Sequence, residues 1–269
     1  MNNVDASLVF ISPETLFVPN DTHLEIWKIP KEVDQVPYRL RDLGFPPPYE
    51  GLFIRGIKFH SAPNPYIHDM PYAPPRLFHT SADDGIIVIS LQVMPYNSVF
   101  TIFIRRRSLL DIATKFSRTQ APASGTPPGD VVSIPWSEWG PPISRWLDTN
   151  QRDLTSSVAP TAVRWVLIDL SFGLLWDIAI YDFNPHNIYH AQEDLPGRYV
   201  IVGKGHTFDD EAFTEEFKMG LGCTVYEPPE KYDFDRVLVD EERMLGYKVR
   251  IWYGMVSRLS LLTLLAAER

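Results

Sequence analysis

The sequence is short of cysteine, of clustered positive charge and of long apolar runs, and each shortage removes a class of protein. Cys223 is the single cysteine among 269 residues, so no disulfide can close within the chain. That fits a reducing compartment. Lys and Arg number 25 against 34 acidic residues, a formal net charge of −9. Holding a phosphate backbone needs clustered cations, so a nucleic-acid partner is not expected. The one dense basic run, Arg105-Arg106-Arg107, reads as a solvated strand end or a partner for carboxylates. The longest apolar stretch, near Leu259 to Ala267, falls far short of the ~20 residues of a membrane helix. The start, MNNVDASLVFISPETL, has neither the basic opening nor the unbroken apolar stretch of a signal peptide. A cytoplasmic or nuclear protein without a membrane span is the expectation.

Familiar catalytic signatures are missing too. Gly197, Gly203 and Lys204 imitate a phosphate-binding loop, but the spacing is one residue too long and Gly205 stands where Ser or Thr should hold magnesium. No G-x-S-x-G elbow is present. Cys223 opens an apolar strand, where a thiol is inert. His186 and His190, with Glu193 and Asp194 beyond, have a helical spacing suited to metal, yet lie in a segment bounded by prolines and read as surface histidines. No metal site and no cofactor are expected. The acid pairs Asp83-Asp84, Asp209-Asp210 and Asp240-Glu241-Glu242 read first as turn and helix-start residues.

Proline is abundant, at 24 residues. It removes a backbone donor and breaks helices, which confines it to loops and strand edges. Aromatic residues make up 13%, seven of them Trp. Short strands on stiff connections follow from this mixture, and so does alternation with period two. In Ile86–Met94, Ile87, Ile89, Leu91 and Val93 point one way while Ser90 and Gln92 point the other. After a turn at Pro95–Ser98, Val99–Arg105 returns with Phe100, Ile102 and Ile104 on one face. Similar runs occur at 7–12, 23–29, 52–60, 163–170, 176–183, 199–202, 223–227, 237–240 and 248–253.

Three short helices are predicted. One follows Ser108, with Leu109, Ile112, Ala113 and Phe116 on a single stripe. A second covers Asp209–Met219, with Phe213 and Phe217 on one face, and a third is the leucine-rich tail Val256–Ala267. The fold class is therefore mostly β, either propeller-like or layered antiparallel sheets, with a few short helices and a C-terminal helix. A single domain over 1–269 is expected, with a Pro/Gly-rich loop near 117–130.

The most distinctive stretch is Ile134–Trp146, IPWSEWGPPISRW, with three tryptophans in a rigid frame. Ile143, Trp146 and Leu147 have helical spacing and face the core. Trp136 and Trp139 are core anchors or the lining of an aromatic binding pocket.

This stretch resembles part of the C-terminal region of F-box proteins from mushroom-forming fungi. SLVFISPETLFVP with LEIWKIP, DDGIIVISLQVM with FTIFIRRRSLL, YDFNPHNI, FDDEAFTEEFKMGLGCTVYE and RVLVDEERMLGYKV echo the same region in order. The resemblance implies a β-rich, propeller-like recognition domain that holds a protein target. Ile29–Val33 imitates the opening of an F-box, but Asp34, Gln35 and Pro37 replace the apolar helix that should follow. A propeller blade takes about 40–45 residues, and roughly eleven or twelve strands suffice for about three.

Two functions are expected from these features. The first is a non-enzymatic module that binds a protein or peptide. The alternative is a cofactor-independent cyclase or isomerase acting on a small apolar metabolite. Asp84, Asp177 and His79 would then carry the chemistry, while Trp136, Trp139 and Asp83 line the ligand site.

Overall fold

The computed structural model describes residues 8–32, 34–60, 81–117, 131–149, 152–156, 164–169, 177–190, 198–201, 206–228, 236–239, 243–252 and 255–266. The chain divides into two compact units, Met1–Asn150 with Gly203–Leu221 and Gln151–Val202 with Gly222–Arg269. The Pro/Gly-rich stretch near 117–130 lies, beyond Ser117, outside the described residues.

The first unit opens with an antiparallel meander of β1 (Val9–Ser12), β2 (Thr15–Pro19), β3 (His23–Lys28) and β4 (Tyr38–Gly44). A second sheet follows from β5 (Phe53–Phe59), β6 (Ile86–Met94) and β7 (Ser98–Arg105). Helix α1 (Arg106–Ser117) comes next. Then β8 (Ser133–Ile134) adds in parallel to β4, helix α2 (Trp136–Ile143) packs, and β9 (Ser144–Asp148) pairs with β7.

Period-two burial explains both sheets. Val9, Ile11, Phe17, Leu24, Ile26 and Leu43 of the first are fully buried, as are Ile87, Ile89, Leu91, Phe100, Ile102 and Ile104 of the second. These residues form one continuous core, and the rings of Phe17 and Phe59 meet across it at 5.5 Å. The sheets are thus layered and antiparallel. The β6–β7 hairpin runs in register from Ile86↔Arg105 to Val93↔Ser98, and Asn97 takes the left-handed φ of 60° in its turn. Ile86, Val88 and Phe103 bury the opposite side of the same two strands.

The basic run behaves in two ways. Arg107 bonds the carboxylate of Asp84 at 3.1 Å, the expected carboxylate partnership. Arg106 is not a solvated strand end: it is fully buried, and its guanidinium donates to the carbonyl of Phe10. Reaching the edge strand β1 of the other sheet, it gives an edge carbonyl a charged donor that water would otherwise supply.

The second unit carries β10 (Arg152–Ser156), β11 (Arg164–Asp169), β12 (Asp177–Asp182), helix α3 (Pro185–His190) and β13 (Arg198–Ile201). The chain then contributes β14 (His206–Phe208) and β15 (Phe217–Met219) to the first unit. It finishes in the second unit with β16 (Cys223–Tyr226), β17 (Arg236–Val239), β18 (Arg243–Trp252) and β19 (Met255–Ala266). The sheet order is β10-β11-β12-β16-β13, with β17-β18-β19 separate. Cys223 is buried and forms no disulfide, as its strand position implied.

Two predicted helices are strands and turns instead. The tail is β19, paired antiparallel with β18 from Trp252↔Met255 to Arg243↔Ala266. A long neighbouring strand, two residues away in sequence, outweighs leucine's helical preference. In Asp209–Met219, Asp210 Oδ1 accepts from the Ala212 amide at 2.9 Å, and the Thr214 amide turns away to the carbonyl of Pro47 at 3.1 Å. An aspartate that bonds its own backbone competes with helix formation. Leu147 and Trp146 likewise sit in β9, not on a helix with Ile143. Among the described residues no helix is long and apolar enough to cross a membrane.

Candidate functional site

The tryptophan segment folds as a short helix entering a strand, and this settles where its rings go. Pro141 and Pro142 occupy the last turn of α2, which ends at Ser144 in extended backbone. Trp136 and Trp139 are 5% and 1% exposed and meet edge to face at 4.8 Å. Trp139 Nε1 donates to the carbonyl of Gly44 at 2.8 Å, tying α2 to β4. Trp136 also packs on Trp146 at 5.2 Å and Phe217 at 5.3 Å. Of the two roles the sequence allowed these tryptophans, their surroundings are those of core anchors.

The acids proposed for chemistry have other company. Asp83 and Asp84 share the 3-10 turn Ala82–Asp84, where the Asp83 amide donates to Ser81 Oγ at 3.3 Å. Asp84 gives its charge to Arg107. Asp177 opens β12 opposite Asp169, and its side chain is outside the described part of the molecule, as is all of His79. His186 starts the short α3, its amide bonded to Asn184 Oδ1 at 3.0 Å.

A cluster that the sequence reading missed lies on β3 and β4. His23, Glu25 and Trp27 alternate along β3, on the face opposite the buried Leu24 and Ile26. Asp42 stands directly across from Glu25, so two carboxylates face each other in register. Such a pair is repulsive unless a cation intervenes. Arg39 supplies one: its Nη1 donates to Glu25 Oε1 at 2.9 Å and its Nε to Asp42 Oδ1 at 2.6 Å. Arg39 and Asp42 are three residues apart and would point to opposite faces of a regular strand. The register shift between Ile26↔Arg41 and Trp27↔Arg39 leaves Leu40 without a counterpart, and this bulge brings both onto one side.

Glu25 collects further donors, Asn20 Nδ2 at 2.9 Å and Trp27 Nε1 at 2.7 Å. Burial pushes its pKa up. The bonds from Trp27 and Asn20 and the charges of Arg39 and His23 outweigh that, and the carboxyl sits below its ordinary value. His23 Nδ1 is 3.1 Å from Thr22 Oγ1, while Nε2 lies 3.4 Å from Glu25 Oε1 and 3.8 Å from Asp42 Oδ1. Nε2 is buried and makes no aligned hydrogen bond.

His60, just past β5, is a second missed group. Its Nε2 is 2.7 Å from Ser90 Oγ, and burial, aided by the charge of Lys58, lowers its pKa from 6.5 to about 4. The unfolded chain therefore binds a proton near pH 6.5 that the folded chain refuses until about pH 4. Stability is full above this window and falls as pH drops through it, by on the order of 3 kcal/mol at most. His60→Gln is expected to flatten urea-melt stability between those two pH values. An unchanged slope would show that other groups carry the acid sensitivity.

A third group is aromatic and exposed. Tyr49 and Phe53 are each 58% exposed and Tyr96 is 79%. The Leu52 amide donates to the Tyr49 carbonyl at 2.9 Å, and Phe53 pairs with Met94, one residue before the Pro95–Asn97 turn. Phe53 at the start of β5 and Tyr96 in the β6–β7 turn therefore lie at the same end of the second sheet, with Tyr49 just before β5 in the chain and the exposed Arg55 two residues after Phe53.

No family model, curated protein or solved structure matches this chain.

Proposed function

We propose that the chain is a non-enzymatic recognition module that holds a protein or peptide, the role implied by its resemblance to the target-binding regions of F-box proteins. The observation that carries this reading is the rim of Tyr49, Phe53 and Tyr96 at the β5 end of the second sheet. Among the described residues of the first unit most other large rings are buried, Tyr38 being a further exposed one, so aromatic area left to water at one sheet end stands out. Tyr side chains are favoured anchors of interfaces because they offer wide apolar area with little entropy to lose. Arg55 adds a cation at the same edge, suited to a partner bearing carboxylates. The described acids offer less to an enzyme reading, since Asp84 is neutralised by Arg107 at the surface.

The double variant Phe53→Ser, Tyr96→Ser tests this. Both positions are exposed, so folding stability should change by no more than about 0.5 kcal/mol each. Partners recovered by affinity capture from the source cells should drop by at least about tenfold, since interface anchors contribute about 2 kcal/mol or more. Equal recovery with the folded double variant would remove the rim from the binding role. An empty capture with the unaltered chain would count against a protein partner altogether.

A further inference from the structure

We propose that His23, Glu25 and Asp42 form a binding site for one divalent transition-metal ion of the zinc class, which Arg39 closes when no metal is bound. The inference concerns a different surface from the aromatic rim and stands or falls independently of it. Its first support is spacing. Four ligands around zinc at 2.0–2.1 Å lie about 3.3 Å from one another. His23 Nε2 is 3.4 Å from Glu25 Oε1 and 3.8 Å from Asp42 Oδ1, and ligand atoms of all three residues fall within 4.8 Å. Small side-chain rotations suffice to close on an ion.

The second support is the direction of His23. Nδ1 lies 3.1 Å from Thr22 Oγ1; when the Nδ1 proton is donated to that hydroxyl, an outer contact of the kind that orients metal-binding imidazoles, the ring presents a lone pair at Nε2. In that tautomer the buried Nε2 faces two carboxylate oxygens, and the positive charge that holds the three together is either a proton on the ring or a bound cation. A proton on Nε2 answers this poorly, because no aligned hydrogen bond to either oxygen results. An ion bonded to all three answers it well, and imidazole with carboxylates is a donor set that suits zinc.

Arg39 is the resident cation and hence the competitor. Its guanidinium bonds the same two oxygens, Glu25 Oε1 and Asp42 Oδ1, that would meet the metal. A dication on those oxygens would lie beside the positive guanidinium and be repelled by it. The Arg39 side chain is 31% exposed and can turn into water, leaving Trp27 Nε1 and Asn20 Nδ2 to hold the Glu25 carboxylate in place. The fourth metal position stays open to water.

Calorimetric titration of the chelator-treated full chain with Zn²⁺, and Co²⁺ absorption spectra, test the proposal. One ion should bind per chain. Arg39→Ala should tighten binding by about tenfold or more, since a charge-assisted bond to each carboxylate no longer competes. His23→Gln in the Arg39→Ala background should weaken it by at least about tenfold and abolish the cobalt ligand-field bands. Histidines of an unfolded chain can also take up zinc, so the gain in Arg39→Ala counts when circular dichroism shows that variant folded and His23→Gln removes the gain. Folded Arg39→Ala protein that takes up no metal, or uptake that His23→Gln leaves intact, would overturn the site.

Discussion

Trp146→Ala is expected to destabilise the first unit by about 3–5 kcal/mol, the largest loss from a single truncation among the described core residues. Trp146 is 1% exposed and is the hub of the aromatic core. Its ring meets Trp136 at 5.2 Å, Phe217 at 5.2 Å, Phe213 at 5.3 Å, Phe208 at 5.6 Å and Phe100 at 6.2 Å. Several of these contacts are edge to face, the arrangement that adds about 0.5–1.5 kcal/mol per pair beyond area burial. The neighbours come from α2, β7, β14, β15 and the loop before β15. No single one can move in to fill the void without leaving its own position. Chemical unfolding followed by far-ultraviolet circular dichroism measures the loss. Trp27→Ala, on the outer face of β3, should cost clearly less. Equal costs would mean that Trp146 is not the keystone its contacts suggest.

Gly220→Ala should cost about 3 kcal/mol or more, by overpacking rather than by a void. A β-carbon at Gly220 would lie 2.3 Å from the Pro142 carbonyl oxygen and 2.5 Å from its carbon. Those are backbone atoms and cannot swing aside. The Gly220 amide donates to the Pro141 carbonyl at 2.7 Å, so the two chain segments are held at this separation. Here glycine is required by close approach and not by an unusual φ. Gly140 is a parallel case: its added carbon would sit 2.1 Å from the ring of Trp136, a side chain locked in the same core. The measurement is the same unfolding experiment on Gly220→Ala and Gly140→Ala. A Gly220→Ala protein as stable as the parent would show that α2 and the β15 end are free to separate.

The strands were legible where apolar residues alternate or cluster, over long runs and over four-residue ones such as 199–202 and 237–240. Ile86–Met94 and Val99–Arg105 announce a hairpin because Ser90 and Gln92 interrupt the apolar run at every second place. Strands β2, β4 and β9 escaped because charge, proline or tryptophan breaks that rhythm: Tyr38–Gly44 reads Y-R-L-R-D-L-G, with Arg41 buried among the apolar residues. The tail was misread because leucine is compatible with both states and the deciding fact, its pairing with the ten-residue strand just before it, is not expressed in the tail's own pattern. Phe213 and Phe217 were correctly joined on one side although no helix joins them. Their rings meet at 6.4 Å in a turn and strand that reach the same core.

The charged cluster shows the limit more sharply. His23-x-Glu25-x-Trp27 is visible as an alternating polar face, and it was the available signal. Asp42 and Arg39 are joined to it by register and by a one-residue bulge, neither of which is written in composition or spacing. The exposed aromatics had no signal at all. Tyr49, Phe53 and Tyr96 look no different in sequence from the rings that became core, and only the pairing of Phe53 with Met94 brings two of them together.

The most direct measurement places a photo-crosslinking amino acid at Phe53 in the full chain and, as a control, at the exposed Glu138 of α2. Irradiated in source cells, the Phe53 derivative should yield a discrete higher-mass adduct with another protein that the Glu138 derivative does not. Adducts of equal yield from both positions, or none from Phe53, would contradict a partner seated on the β5 edge.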